Sequence, residues 1–182
     1  ICCHLWDYGR MLDLMVKIPA AQERAYRIEI GTGLLATLWE RIEADFPGQR
    51  PFVVTDQALL DAGHLKTLLG GRQAPCYVID PPGEASNHIQ TAVAIIEAMV
   101  AAYLGRDSLV LALGGGTVGD IAGFAAATFK RGVPVVQIPT TTLAQADSAV
   151  GGKTGVDSSL SKNAFGAFWH PAAVFVDVAT LQ

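Results

Sequence analysis

Charge is scarce in this chain. Only 16% of its 182 residues are Asp, Glu, Lys or Arg, and the net charge is −4. No Lys/Arg cluster or basic stripe occurs, which excludes the electrostatic footprint of a nucleic-acid binder. Cysteine is equally sparse: Cys2 and Cys3 are adjacent and Cys76 stands alone. That is no disulfide framework, and no Cys/His spacing suits a zinc site. Reduced thiols in a cytoplasmic protein are the simplest reading. No apolar run reaches the ~18–20 residues that cross a bilayer, so no membrane partner is expected. The opening "ICCHLWDYGRMLDLMVKIP" has no initiator Met and lacks the basic-then-apolar order of a signal peptide. Residues 1–14 are therefore expected to be a non-native or disordered leader, with Met11 or Met15 as true starts. Residues 15–182 are expected to form the folded domain.

What is abundant is apolar: half the residues, enough to bury the core of one domain of ordinary size and to exclude disorder by composition. The apolar residues follow two alternating periods. "YRIEI" (26–30) alternates, as a half-buried strand does, and Leu35, Leu38 and Ile42 then recur at helical spacing. "PFVVTD" (51–56), "CYVID" (76–80), "SLVLAL" (108–113), "VPVVQIP" (133–139) and "AVFVDV" (173–178) read as further strands. Nearly all of 108–113 is apolar, as in a strand covered on both faces. Between them, Ser86 is expected to cap a helix whose stripe is Ile89, Val93, Ile96, Val100 and Leu104, stopped by Gly105. Strands alternating with helices predict right-handed crossovers and a mostly parallel, Rossmann-like α/β sheet with flanking helices.

Glycines cluster between the 108–113 strand and an alanine-rich helix (117–130). Gly114, Gly116 and Gly119 satisfy G-x-G-x-x-G in the strand–turn–helix setting which that motif requires. Such a turn lets a pyrophosphate approach the N–H groups of a helix start; a tight turn without ligand is the alternative. The acid that usually follows about 20 residues later is missing, and Asp56, at the end of "VVTD", is the one strand-end acid able to hold a ribose. Glu84 in "PPGEASN" stands at another strand-to-helix junction, where ordinary helix N-terminal charge would also explain it. The charges of "DSAVGGKTGVDSSLSKN" (147–163) fall among small residues: Asp147, Lys153, Asp157 and Lys162. A solvated loop is the bland reading of the lysines. His170 in "FWHP" reads as a packed or surface histidine.

The blocks "VVTD", "PPGEAS", "LALGGGTVGDIAGFAAATFKRGV", "QIPTTTLAQADSAVGGKTGV" and "KNAFGAFWHPAAVFVD" in this order resemble 3-dehydroquinate synthase, over residues 15–182. Related sugar-phosphate cyclases share much of the pattern, and glycerol dehydrogenases share it more distantly. The resemblance implies the N-terminal NAD-binding half of a two-domain lyase of the shikimate pathway. Its helical C-terminal domain, which binds a divalent metal (zinc or cobalt), is absent from this sequence. The implied substrate is 3-deoxy-D-arabino-heptulosonate 7-phosphate, converted to 3-dehydroquinate and phosphate, in a cytoplasmic homodimer. Position by position, Asp56 and Glu84 resemble contacts to the adenosine part of NAD. Gly115, Gly116, Thr117 and Asp120 resemble the pyrophosphate turn; Thr140, Thr141, Leu143 and Ser148 resemble a second loop over the dinucleotide. Asp147 resembles a residue shared by nicotinamide ribose and substrate, Lys153 and Asn163 substrate-binding residues, and Lys162 a residue at their boundary. Arg131 resembles the arginine that reaches a substrate phosphate across the dimer; as a helix C-terminal cation stopped by Gly132 it also has a local explanation. No residue of this chain is expected to bind the metal.

Two departures stand out. Asn87 occupies a position where the family usually has lysine. "VDSSLSKN" replaces the usual Asn-His-Pro and Gly with Asp157, Ser158, Ser159 and Ser161, and Asp157 is not expected among the working groups. A sister cyclase of secondary metabolism and a non-catalytic NAD-binding module are the competing readings. The chain alone is expected to bind NAD weakly at best and to release no phosphate.

Overall fold

The computed structural model describes residues 25–181; the expectations for residues 1–14, Cys2, Cys3, Met11 and Met15 lie outside the described residues. Along the chain come β1 (Arg27–Gly31), α1 (Leu38–Asp45), β2 (Arg50–Asp56), α2 (Gln57–Asp61), α3 (His64–Leu69), β3 (Cys76–Ile79) and α4 (Ile89–Ala101). Then follow β4 (Ser108–Gly114), α5 (Gly116–Thr128), β5 (Val135–Pro139), β6 (Lys153–Val156), β7 (Phe165–Phe168) and β8 (Ala173–Asp177). Six strands form a Rossmann-like parallel sheet in the order β1-β8-β5-β4-β2-β3, and β6 pairs antiparallel with β7 in a separate hairpin.

The expected doubly covered strand is β4, at whose seven positions every side chain is buried. Its residues alternate between two cores. Val110 and Ala112 pack with Phe52, Val54, Val135, α4 and α5 on one face. Leu109, Leu111 and Leu113 pack with Val53, Val136, Ile138, α1 and α3 on the other. Each fully buried Val, Leu, Ile or Phe contributes about 1.5–3 kcal/mol by leaving water, so this central run dominates the sheet's stability.

Several local expectations are corrected. Alternation in "YRIEI" is real, but β1 is an edge strand: Ile28 and Ile30 are 44% and 68% exposed, while Glu29 pairs with Arg41. The buried face of α4 is Thr91, Ala92, Ile95 and Met99, with Val93 and Val100 exposed. The helix starts later than expected: the His88 ring caps it, accepting from Thr91 N at 3.3 Å. Ser86 sits in a preceding 3-10 turn and donates to Pro81 O at 2.6 Å. The helix ends at Ala101, and Tyr103 (φ 54°) rather than Gly105 takes the left-handed turn.

In α5 the small residues serve close packing. A Cβ on Gly123 would lie 2.4 Å from Thr154 Cγ2, and one on Gly119 would lie 2.7 Å from Gln137 Oε1. The β6–β7 hairpin therefore rests directly on α5, and α5 directly on β5. The carboxyl ends of β2, β4, β5 and β8 all open toward one edge, the position where parallel α/β sheets bind ligands.

Candidate functional site

The glycine turn lies at that edge, between β4 and α5. Gly115 is extended (φ −73°, ψ −174°), so left-handed backbone is not what requires glycine here; clearance is. A Cβ on Gly114 would come within 2.6 Å of Val118, one on Gly115 within 3.1 Å of Thr141 Cγ2, and one on Gly116 within 3.0 Å of Ser148 Oγ. The turn is thereby apposed to the loop that leaves β5. Thr140 N bonds Gly114 O at 3.0 Å, and Thr140, only 6% exposed, has no partner for its hydroxyl among the described residues. Thr141 Oγ1 accepts from Ala144 N at 3.3 Å, which starts a π turn over Ala144–Ser148. Leu143 is 70% exposed.

Beyond that turn the chain enters the β6–β7 hairpin and encloses a cavity of about 380 Å³. Asp120, Asp147, Ser148, Lys153, Asn163 and Phe168 are among its lining residues. Five residues singled out in the sequence thus share one cavity, and Thr117 and Gly116 stand one turn before Asp120 on α5. Arg131 does not join them. It follows the far end of α5 in a left-handed conformation (φ 68°), about 20 Å along the helix from the glycine turn at 1.5 Å per residue.

Asp56 and Glu84 bound the other side of the edge. Asp56 caps α2, its Oδ1 accepting from Leu59 N at 3.0 Å. Glu84 accepts from Lys162 Nζ at 2.6 Å, a contact between two positions 78 residues apart that the sequence did not suggest. That hydrogen bond and the charge of Glu84 raise the Lys162 pKa. Asp120 is pushed up to about 6, first by desolvation and then by the charges of Glu84 and Asp157. Asp120 thus feels the charge of two other carboxylates, one of which is paired with Lys162.

Asp157, not expected among the working groups, holds the loop in place. Its Oδ1 accepts the backbone N–H of Asn163 at 2.6 Å, and its own N–H bonds Asn87 O at 3.1 Å. Ser158 Oγ accepts from Leu160 N and Ser161 N, at 3.2 and 2.9 Å. The residues that depart from the family pattern thus tie the loop by side-chain-to-backbone bonds of the kind Ser and Asp make in turns. Asn87 is 6% exposed, with Oδ1 unpartnered among the described residues. His170 is exposed beside the Tyr26 ring, 6.1 Å between centroids.

With this geometry in place, the matches to known proteins are specific. Residues 77–182 match the family model described as 3-dehydroquinate synthase N-terminal. The chain belongs to the 3-dehydroquinate synthase family. A 3-dehydroquinate synthase of Bradyrhizobium sp. is 45% identical over 178 residues, covering 95% of this chain and 46% of the relative. This chain thus spans about half the length of the curated relatives it matches. A solved 2-deoxy-scyllo-inosose synthase, complexed with carbaglucose-6-phosphate, NAD+ and Co2+, superposes with a TM-score of 0.77 at 28% identity, over 87% of this chain and 44% of that one. A 2-epi-5-epi-valiolone synthase from Streptomyces hygroscopicus, with NAD+ and Zn2+ bound, gives 0.76 at 31% identity, over 91% and 46%.

No described helix is long and apolar enough to cross a membrane. Among the described residues no group of three or more His, Cys, Asp and Glu side chains is placed to hold a metal ion.

Proposed function

We propose that this chain is the NAD-binding domain of a two-domain, cytoplasmic 3-dehydroquinate synthase, a carbon–oxygen lyase acting on 3-deoxy-D-arabino-heptulosonate 7-phosphate. One juxtaposition carries the reading: Asp147, Lys153 and Asn163 line the same cavity as Asp120, beside a glycine turn cleared of side chains. The orphaned Thr140 hydroxyl next to that turn fits a dinucleotide that would supply its missing partner. NAD would be held by Gly115, Gly116, Thr117 and Asp120 at the helix start, by Thr140, Thr141, Leu143 and Ser148 from the β5 loop, and by Asp56 and Glu84 at the adenosine end. When bound, NAD supplies reversible hydride acceptance from a substrate alcohol.

The chain's own residues supply orientation and charge. Lys153 gives an ammonium to an anionic substrate group, Asn163 an amide for hydroxyl or carboxylate, and Asp147 an acceptor for hydroxyls of ribose and substrate. Lys162, tied to Glu84 at 2.6 Å, would leave that ion pair to reach the boundary of cofactor and substrate. Arg131, far along α5 from the turn, would serve the site of a second copy in a homodimer. The divalent metal, zinc or cobalt, would be held by residues outside this chain.

A sister cyclase is the second reading, favoured by Asn87 and by the rebuilt 157–161 loop. Phosphate release by the whole protein separates the two. Release from the heptulosonate phosphate is expected; release only from a sugar phosphate lacking the carboxylate would select the sister activity. The purified 182-residue chain is expected to release none, and detectable phosphate would contradict its need for further residues.

A further inference from the structure

Gln145 lies inside the π turn, two residues before Asp147. Its Nε2 donates toward three oxygens: Pro139 O at 3.1 Å, Asp177 O at 3.1 Å and Thr180 Oγ1 at 3.2 Å. Pro139 ends β5 and Asp177 ends β8, so one side-chain amide spans two strand ends. Asp177 is itself fixed. Buried to 4% exposure, its carboxylate accepts from Gly33 N at 2.8 Å, Leu35 N at 2.9 Å and Ala179 N at 3.0 Å. Thr180 Oγ1 also donates to Asp177 O at 2.7 Å. The three hydrogen-bond partners of Gln145 Nε2 are oxygens, and the two carbonyls among them accept only from a donor.

The turn that Gln145 anchors is an unusual one. Ala149 N bonds Ala144 O at 3.2 Å, a five-residue step, and Val150 N bonds Asp147 O at 3.0 Å. Such π turns are rare and are frequent at functional sites. This one leaves Ser148 Oγ 3.0 Å from the point where a Gly116 Cβ would be, and brings Asp147 and Ser148 into the cavity.

We propose that Gln145 is a positioning residue: by clamping the ends of β5 and β8 it holds the π turn that presents Asp147 and Ser148 to the glycine turn. Its effect on cofactor binding rests on the NAD reading above, whereas its effect on the turn does not.

Amide hydrogen exchange and NAD titration by NMR on the 182-residue chain test this in Gln145→Leu and Gln145→Glu. In Gln145→Leu the Ala149 and Val150 amides are expected to lose protection about tenfold, and NAD affinity to fall by a similar factor, as for lost hydrogen bonds. The Gly119 amide, bonded to Gly115 O within α5, keeps its protection. Gln145→Glu shows both defects at about pH 8 and recovers toward wild type at about pH 5, because the oxygens facing it favour the protonated carboxyl over the carboxylate, and that form regains one donor in nearly the same shape. Each value is divided by the wild type's at the same pH, since Asp120 titrates in this window. Gln145→Leu shows no such recovery.

Unchanged protection of Ala149 and Val150 in both variants overturns the proposal, as does lost protection with NAD affinity unchanged. If Gln145→Leu loosens Gly119 as well, Thr180→Val removes a single acceptor, and failure to weaken Ala149 and Val150 there overturns it too. A wild-type chain with no NAD-dependent shift at Gly115 or Gly116 contradicts the cofactor reading alone; the protection data still decide the clamp.

Discussion

The Asp157 carboxylate holds the backbone N–H of Asn163 at 2.6 Å, and Asn163 adopts φ 50° at that point. A residue that departs from the family pattern thereby fixes the left-handed turn on which an expected substrate contact is carried. Asp157→Asn keeps an acceptor oxygen and is expected to leave the turn intact. Asp157→Ala removes it, and should cost about 1 kcal/mol of stability, the usual net worth of one such bond. Denaturant unfolding together with the Asn163 amide shift checks both; equal behaviour of the two variants would refute the turn's dependence on Asp157.

Asp120 makes stability pH-dependent in a definite direction. Its carboxyl, raised to about 6 from an ordinary 3.8, keeps its proton in the folded chain where the unfolded chain has lost it. Between those values the folded state binds more protons, so this group's contribution is full below about pH 4 and lost as pH rises through 6. Asp120→Asn should therefore be more stable than wild type at neutral pH, with the difference vanishing near pH 4. Urea unfolding of both proteins across this range measures it; a difference that grows on acidification would contradict the assignment.

Gly123 predicts a coupled pair. An alanine there would place Cβ 2.4 Å from Thr154 Cγ2, and Thr154 cannot easily swing away because its hydroxyl donates to Ala167 O at 2.8 Å. Gly123→Ala is expected to destabilise by about 1–3 kcal/mol, as overpacking does, despite alanine's better helix propensity. Thr154→Ser removes the methyl and keeps the hydroxyl, so in that background the same change should be near neutral or stabilising. Additive effects in the double mutant would show that α5 and the hairpin are not in contact there.

Much of this was legible in the sequence, for physical reasons that differ by element. β4 and β5 were readable because continuous Val, Ile and Leu runs have few alternatives to a doubly covered strand. The glycine turn was readable because its spacing reports a close approach: a Cβ on Gly114 would lie 2.6 Å from Val118, one on Gly116 3.0 Å from Ser148 Oγ and one on Gly119 2.7 Å from Gln137 Oε1. The face of α4 was not. Its sequence is apolar nearly all round, so periodicity could not separate Ala92, Ile95 and Met99 from the exposed Val93 and Val100. Nor was the cap, because Ser86 turns its hydroxyl to Pro81 O and leaves the helix start to the His88 ring. Within the site, Asp147, Ser148, Lys153 and Asn163, each singled out in the sequence, line one cavity. Asp157 stood out as a departure, but its bond to Asn163 N, like those of Gln145 to Pro139 O and Asp177 O, was not legible, because backbone partners leave no mark in side-chain chemistry. The Asp in "VDSSLSKN", six residues before Asn163, was the available signal for the first.

The most direct test is an amide-resolved NMR titration of the 182-residue chain with NAD, run beside Gly116→Val, which fills the space facing Ser148. Saturable shifts centred on Gly115, Gly116, Asp120 and Ser148 are expected in the wild type, and none in Gly116→Val while the Gly119 amide stays protected. Absence of shifts in the wild type, or shifts that persist unchanged in Gly116→Val, would contradict binding of the dinucleotide at this turn.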